Sequence, residues 1–360
     1  MKFRHVLTLL TVNAVLFTAL LFAANFWAKD RLPKTRAQFL TQEQTLFYKK
    51  HSAELNHLRM FEFQQHMYSD AAKSTTDFLF SKVGDGKRTI LIQGDSWAEQ
   101  MILGYPSFLA LQIFSEDNDI QFIVGGTSSY APSIMSAQYR LLRDYFAIQP
   151  EIVVGIIDQT DIGDELCRYR HQRSKNEEGA EIVKPYDGTT LVPYLLTPYF
   201  DLIDILDAPG IPLIKLIKYR LAKSKTHNRG GCYKEIVSPL EGQLTSEDRQ
   251  YFKDRVKAYI DEVFRASPQV KQLMLVTHFH AKHLTGEYQI SVSDIIRECV
   301  STSPFKGRIV QLDFEPQDYH TEDLKHIFKA EDPYSHLTDH MHRKIFTKNI
   351  LRKISDLHNK

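Results

Sequence analysis

Cysteine is scarce in this chain: Cys167, Cys232 and Cys299 are the only three in 360 residues, with no CxxC pair and an odd count. That scarcity excludes a disulfide-stapled scaffold and a cysteine-based zinc site. The thiols read as small buried hydrophobes; a Cys167–Cys232 bridge across one loop region is the pairing an oxidising compartment would allow. An excess of either charge is also missing, with 45 Lys and Arg against 44 Asp and Glu for a net charge of +1. No field therefore favours nucleic acid or another polyanion, and neutral or mixed substrates are expected. Internal repeats and low-complexity tracts are absent too. What remains is an ordinary globular composition, 43% hydrophobic and 11% aromatic, enough to bury a large core in one big domain or a domain with an appendage.

The N-terminus departs from that composition. Val6 to Ala28, "VLTLLTVNAVLFTALLFAANFWA", carries no charge and is long enough to cross the hydrocarbon core of a bilayer. A cleavable signal peptide would have a shorter apolar stretch ending in small residues, yet cleavage after Ala24 or Ala28 would put Phe22 or Phe26 three residues before the cut. An uncleaved transmembrane anchor over residues 1–30 is the expectation. Lys2 and Arg4 before the span are matched by Lys29, Arg31, Lys34 and Arg36 after it, so the distribution of basic residues does not set the orientation. A short tail before the span and a large domain after it point to an inner-membrane, single-pass protein with its domain exported to a periplasm.

Residues 36–72 lack glycine and proline and repeat apolar residues at helical spacing, so 31–76 reads as a helical neck. From residue 77 onward, short aliphatic runs alternate with helical stretches, the pattern of βαβ units around a mainly parallel sheet. Strands are expected at 89–93, 120–124, 152–157, 273–277 and 308–314, and helices at 98–114, 134–146, 246–266, 292–300 and 338–354. Five strands suffice for a three-layer α/β/α domain over 77–360. Residues 166–245 form an insertion too long for an ordinary connection, placed where such excursions shape a substrate site or lid.

The stretch "LIQGDSWAEQ" sets Gly94-Asp95-Ser96 between an apolar strand and a helix. In a parallel sheet the crevice at the carboxyl ends of the strands is where ligands bind, so Ser96 is a candidate nucleophile beside the amides of a helix N-terminus. Its hydroxyl is inert until a base removes the proton. "EDPYSHLTDHMHRKIF" supplies one: His336 follows the last strand, with Asp332 four residues earlier. Asp332 would orient the imidazole while His336 takes the serine proton.

With these blocks the chain resembles the SGNH/GDSL hydrolases. The resemblance rests on Gly94-Asp95-Ser96, on the glycine-bearing loop "VGGTSSYAPSI" after the second strand, on the polar block "DQTD" after the third, and on the C-terminal Asp…His block. It covers most of residues 88–356 and implies a flavodoxin-like fold with a five-stranded sheet. It also implies Ser96 as nucleophile, His336 as base and Asp332 as its orienter. The oxyanion would be held by the Ser96 and Gly126 amides with Thr160 or Gln159.

Two positions depart from the family pattern. Its Asp precedes its His by three residues, a spacing that Asp339 and His342 have, which makes His342 the reserve base. Its Gly-x-Asn-Asp becomes Asp158-Gln159-Thr160-Asp161, without the Asn. Asp95, Trp97, Asp161, His278 and His280 are candidate substrate contacts.

Envelope-facing, anchored members imply an esterase or O-acyltransferase acting on acetyl or other acyl groups of a cell-envelope polysaccharide, with no cofactor or metal. The alternative is a catalytically degenerate glycan-binding or assembly protein of the same fold. A third reading is a zinc hydrolase. His278, His280 and His283 have His-x-His-x-x-His spacing, which resembles metallo-β-lactamase-type hydrolases, but Lys282 stands where that family has Asp.

Overall fold

In the computed structural model, the described residues are 2–29, 76–77, 80–127, 130–144, 146–170, 173–175, 181–183, 211–214, 216–217, 244–319, 326–330, 332 and 335–358. The sheet grows from short aliphatic runs, buried on both faces in the inner strands and only partly buried at the β9 edge, as a parallel sheet covered by helices requires. These runs are β3 (Arg88–Gly94), β4 (Ile120–Gly126), β5 (Ile152–Ile156), β8 (Gln272–His278) and β9 (Ile309–Phe314). All five pair in parallel in the order β4-β3-β5-β8-β9, the flavodoxin-like arrangement.

The sheet has seven strands rather than the five expected. An antiparallel ribbon of β1 (Thr76–Asp77) and β2 (Phe80–Val83) extends it at the β4 edge. These strands are too short and too polar to stand out as periodic runs. A separate hairpin, β6 (Arg173–Lys175) with β7 (Glu181–Val183), lies within the insertion.

Alternation along the strands divides the core in two. Leu91, Ile123, Val153, Leu273 and Leu275 face one side, against helices Pro132–Asp144, Ser246–Arg265 and Val292–Ser301. Ile92, Phe122, Val124, Val154, Met274 and Val276 face the other, against Trp97, Phe108, Leu111, Phe346 and Ile350. The result is a three-layer α/β/α domain.

The single helix expected over 98–114 is two, α2 (Ser96–Leu103) and α3 (Tyr105–Asn118). Gly104 in an extended conformation and Pro106 in the first turn of α3 break it. The last helix is likewise interrupted. A short turn at Asp339–Met341 and a π-helical segment at His342–Thr347 precede Lys348–His358.

The N-terminal helix α1 (Lys2–Lys29) contains one stretch, Thr11–Lys29, long and apolar enough to span a membrane or serve as a signal sequence. Most of its large side chains are exposed, including Phe17, Phe22, Phe26 and Trp27. Near its end the Asn25 side chain accepts the Leu213 N–H at 3.1 Å. The expected neck, apart from Thr76, and the Cys167–Cys232 pairing lie outside what is described. Cys299 is a free thiol, fully buried, and burial pushes it up to about 11.

Candidate active site

β3 ends at Gly94, whose φ of +154° is a glycine conformation; a Cβ there would stand 2.8 Å from the Ile156 carbonyl oxygen. The chain turns straight into α2. Asp95 is the N-cap, its Oδ1 accepting the Trp97 N–H at 2.9 Å. Ser96 is therefore the first residue of the helix, not its cap. Its amide is among the first-turn N–H groups that have no partner within a helix. The hydroxyl is half-buried at the carboxyl edge of the sheet.

The imidazole arrives from the far end of the chain on a loop held at several points. Phe328 and Leu337 form a β-bridge, Lys329 N–H donates to the His336 carbonyl at 2.8 Å, and Thr338 N–H donates to that of Ile327 at 2.8 Å. Gln100, one turn after Ser96, donates its side-chain amide to the Leu337 carbonyl at 3.0 Å. Ser335 sits at φ +59°, a left-handed turn conformation unusual for a residue with a Cβ. Its hydroxyl accepts the Ala281 N–H at 3.1 Å. Because the chain doubles back at Ser335, one oxygen of Asp332 reaches His336 twice: Oδ2 accepts the backbone N–H at 3.0 Å and lies 2.5 Å from ring Nδ1.

Ser96 Oγ lies 2.5 Å from His336 Nε2 and 2.9 Å from Asp95 Oδ2. Asp332, His336 and Ser96 thus form an unbroken chain of contacts, with the His336 and Asp332 side chains only 18% and 13% exposed. A hydroxyl in line with an imidazole that is itself backed by a carboxylate can act as a nucleophile toward an acyl carbonyl.

No known protein family matches the chain, and no curated protein matches it. Solved structures overlap with it shallowly. Axe2, an acetylxylan esterase from Geobacillus stearothermophilus, aligns at 14% identity with a TM-score of 0.38, over 76% of this chain and 95% of that one. LAE5, an alpha/beta hydrolase from the metagenome of Lake Arreo, Spain, aligns at 13% identity with a TM-score of 0.36, over 74% and 94%.

Of the two histidines weighed as base, His342 is buried elsewhere. Its Nδ1 lies 2.9 Å from Ser107 Oγ and its Nε2 3.1 Å from the Trp97 carbonyl; burial pushes it down to about 3, so it stays neutral. Asp339 is exposed and pairs with Lys329 at 3.3 Å.

The oxyanion candidates are placed unequally. Gly126 closes β4 beneath the first turn of α2, where a Cβ would lie 2.2 Å from the Glu99 nitrogen, so close packing alone demands glycine. The Thr160 hydroxyl donates to Asp158 Oδ1 at 2.9 Å. The Gln159 amide is engaged at both ends: its Nε2 donates to the Ile290 carbonyl at 3.0 Å and its Oε1 accepts the Val292 N–H at 2.9 Å. Both ends of that amide pin the 290–292 turn.

The five candidate substrate contacts lie in the interior. Asp95, Trp97, Asp161, His278 and His280 are all buried, at 4% exposure or less. The inward face of α2 carries Trp97, Ala98, Gln100 and Met101 at helical spacing, so the Trp97 ring is buried beneath Ser96 and lies 4.3 Å from the His278 ring. His278 is locked by the Phe279 carbonyl and the Tyr319 hydroxyl, each 2.6 Å away, and burial pushes it down to about 3. His280 caps a short helix by accepting the Lys282 N–H, and His283 reaches the Ile290 carbonyl. Among the described residues the three imidazoles do not form a group able to hold one metal ion; each bonds elsewhere.

Sequence reasoning missed what lies under Ser96. Asp95, Asp158 and Asp161 are buried with one carboxylate oxygen each inside a 4.8 Å cluster. Burial raises all three, reinforced at Asp95 by the charge of Asp158 and at Asp161 by those of Asp95, Asp158 and Asp164. Asp158 is pushed up to about 7. Asp161 Oδ2 accepts the Asp158 N–H at 3.0 Å, while its Oδ1 has no partner. An Asp directly before a helix is an N-cap signal and would have found the inward role of Asp95; nothing local announces the cluster.

Proposed function

We propose that this chain is a serine hydrolase of ester bonds, or an acyltransferase working through the same acyl-enzyme. The observation that carries the reading is the contact chain Ser96 Oγ–His336 Nε2 and His336 Nδ1–Asp332 Oδ2, each 2.5 Å. In the first half, Ser96 Oγ bonds to the ester carbonyl carbon as its proton moves to His336. The tetrahedral oxyanion then collapses, the C–O bond to the alcohol breaks, and His336 returns the proton to that alcohol. In the second half, water or an acceptor hydroxyl gives its proton to His336 and attacks the acyl carbonyl, and Ser96 leaves with the proton. Water makes the protein an esterase, and a sugar hydroxyl makes it a transferase.

The Ser96 amide, first in its helix, is the leading oxyanion donor, with Gly126 beside it. Acetyl or related acyl groups on a cell-envelope glycan are the proposed substrate. The SGNH/GDSL resemblance and an α1 able to anchor the domain at a membrane support that choice. The same reading puts the domain outside the cytoplasm, which protease protection in intact spheroplasts would refute.

One observation favours a second reading, a glycan-binding protein with a weakened site. The family Asn is missing, the Gln159 amide is taken up by Ile290 and Val292, and the Thr160 hydroxyl by Asp158. A fluorophosphonate probe separates the two. The hydrolase reading expects covalent labelling that disappears in Ser96→Ala; folded wild-type protein that stays unlabelled would instead support the binding protein.

A further inference from the structure

Ser96 has one hydroxyl proton and two close partners, His336 Nε2 at 2.5 Å and Asp95 Oδ2 at 2.9 Å. A neutral imidazole that gives its Nδ1 proton to Asp332 has only a lone pair at Nε2, so the serine must donate there if His336 is to act as base. The serine oxygen is then an acceptor toward Asp95, and two facing oxygens at 2.9 Å need a proton between them. As placed, the hydroxyl donates to Asp95 Oδ2; once the serine proton is committed to His336, the proton between the two oxygens must come from Asp95. We infer that Asp95 is a positioning residue held as a neutral carboxylic acid, whose O–H donates to Ser96 Oγ and so turns the serine proton toward His336.

The surroundings of Asp95 favour the acid. From the loop after β5 it faces Asp158 and Asp161, with Asp164 behind them. From the 332–336 loop it faces His336, beyond which lies Asp332. Its own helix contributes the Trp97 N–H to Oδ1. Buried carboxylates crowded in this way cannot all ionise, which agrees with the upward displacement of Asp95, Asp158 and Asp161. If Asp95 loses the proton, its carboxylate competes with His336 for the serine hydrogen and the nucleophile is turned away.

This inference rests on the proposed triad and deepens it. Asparagine mimics the acid: its carbonyl can keep the Trp97 N–H and its amide can donate permanently to Oγ. The test follows the fluorophosphonate labelling rate of the full-length protein from about pH 5 to about pH 10. In wild type the rate should fall roughly ten- to a hundredfold on the alkaline side as Asp95 ionises. Asp95→Asn should label much faster than Asp95→Ala and lack the alkaline fall.

An Asp95→Asn profile with the wild-type alkaline limb, or a rate no better than that of Asp95→Ala, overturns the inference. A cation bound among the three carboxylates would keep Asp95 ionised and give the second of these results. Should Asp95→Asn fail to fold, or wild type fail to label, infrared spectroscopy reads the proton directly. The inference expects a protonated-carboxyl C=O band at neutral pH that shifts in Ser96→Ala, and it falls if no such band exists. Labelling thus judges the triad, and the band judges Asp95.

Discussion

Ser96 and His336 stand 240 positions apart in the chain, yet Oγ and Nε2 are 2.5 Å apart. Strand order brings them together. Ser96 follows central β3, and His336 follows β9, on a loop tied back to α2 through Gln100.

The two C-terminal histidines should therefore separate cleanly on mutation. His336→Ala is expected to slow fluorophosphonate labelling on the order of a thousandfold or more, with little change in stability. His342→Ala should cost about 2–4 kcal/mol, because it leaves a cavity and orphans the Ser107 hydroxyl, yet still label once folded. Urea unfolding and labelling of both variants check this; an unlabelled but stable His342→Ala would reverse the assignment.

Stability should respond to pH in two opposite ways. His278 and His342 hold folded values of about 3 against an ordinary 6.5, so the unfolded chain takes up protons first on acidification. The stability they lend is present above about pH 6.5 and lost as pH falls toward 3. Asp158 is raised, from 3.8 to about 7. Its favourable contribution is complete below about pH 4 and disappears as pH rises through 7. Urea midpoints across pH should show a shallower acid limb in His342→Gln and a shallower decline between about pH 4 and about pH 7 in Asp158→Asn.

Glycines with different surroundings should tolerate a methyl group differently. At Gly126 a Cβ would meet the Glu99 nitrogen at 2.2 Å and the Ala98 carbonyl carbon at 2.4 Å, both backbone, so β4 or α2 must move. Gly126→Ala should cost about 2–4 kcal/mol and slow labelling. Gly286 has nothing within 4 Å, only a φ of +73°, and Gly286→Ala should cost about 1 kcal/mol without affecting labelling. Equal effects from the two would contradict the packing account.

Gln159→Ala should behave as a structural variant. Freeing the Ile290 carbonyl and the Val292 N–H is expected to cost about 1–3 kcal/mol. Labelling should drop far less than the hundredfold to thousandfold that follows loss of an oxyanion donor. A stable Gln159→Ala with a drop of that larger size would restore it to the site. A chelator should leave labelling unchanged, since His278, His280 and His283 each bond to separate partners.

The architecture was largely legible. Runs buried on both faces, such as "TILIQ" and "LMLVT", mark central parallel strands, and Thr245 before Ser246–Arg265 is a readable cap. The break at Gly104 was legible in principle from Gly-Tyr-Pro, but continuous helical periodicity on both sides concealed it. The candidate substrate contacts beside Ser96 are buried for one physical reason. Proximity in sequence to Ser96 says nothing about direction: Asp95, as the N-cap, and Trp97, in the first turn of α2, both point into the interior.

Composition and periodicity by themselves determined the α/β class, the apolar N-terminal helix and the residue types able to do acyl chemistry, because each depends on which side chains leave water along a local run. Tertiary structure alone decided which histidine meets Ser96, how an Asp four residues away folds back through the left-handed turn at Ser335, and which carboxylates crowd beneath the serine. Those outcomes depend on distances between segments far apart in the chain, and strand order and loop closure set such distances.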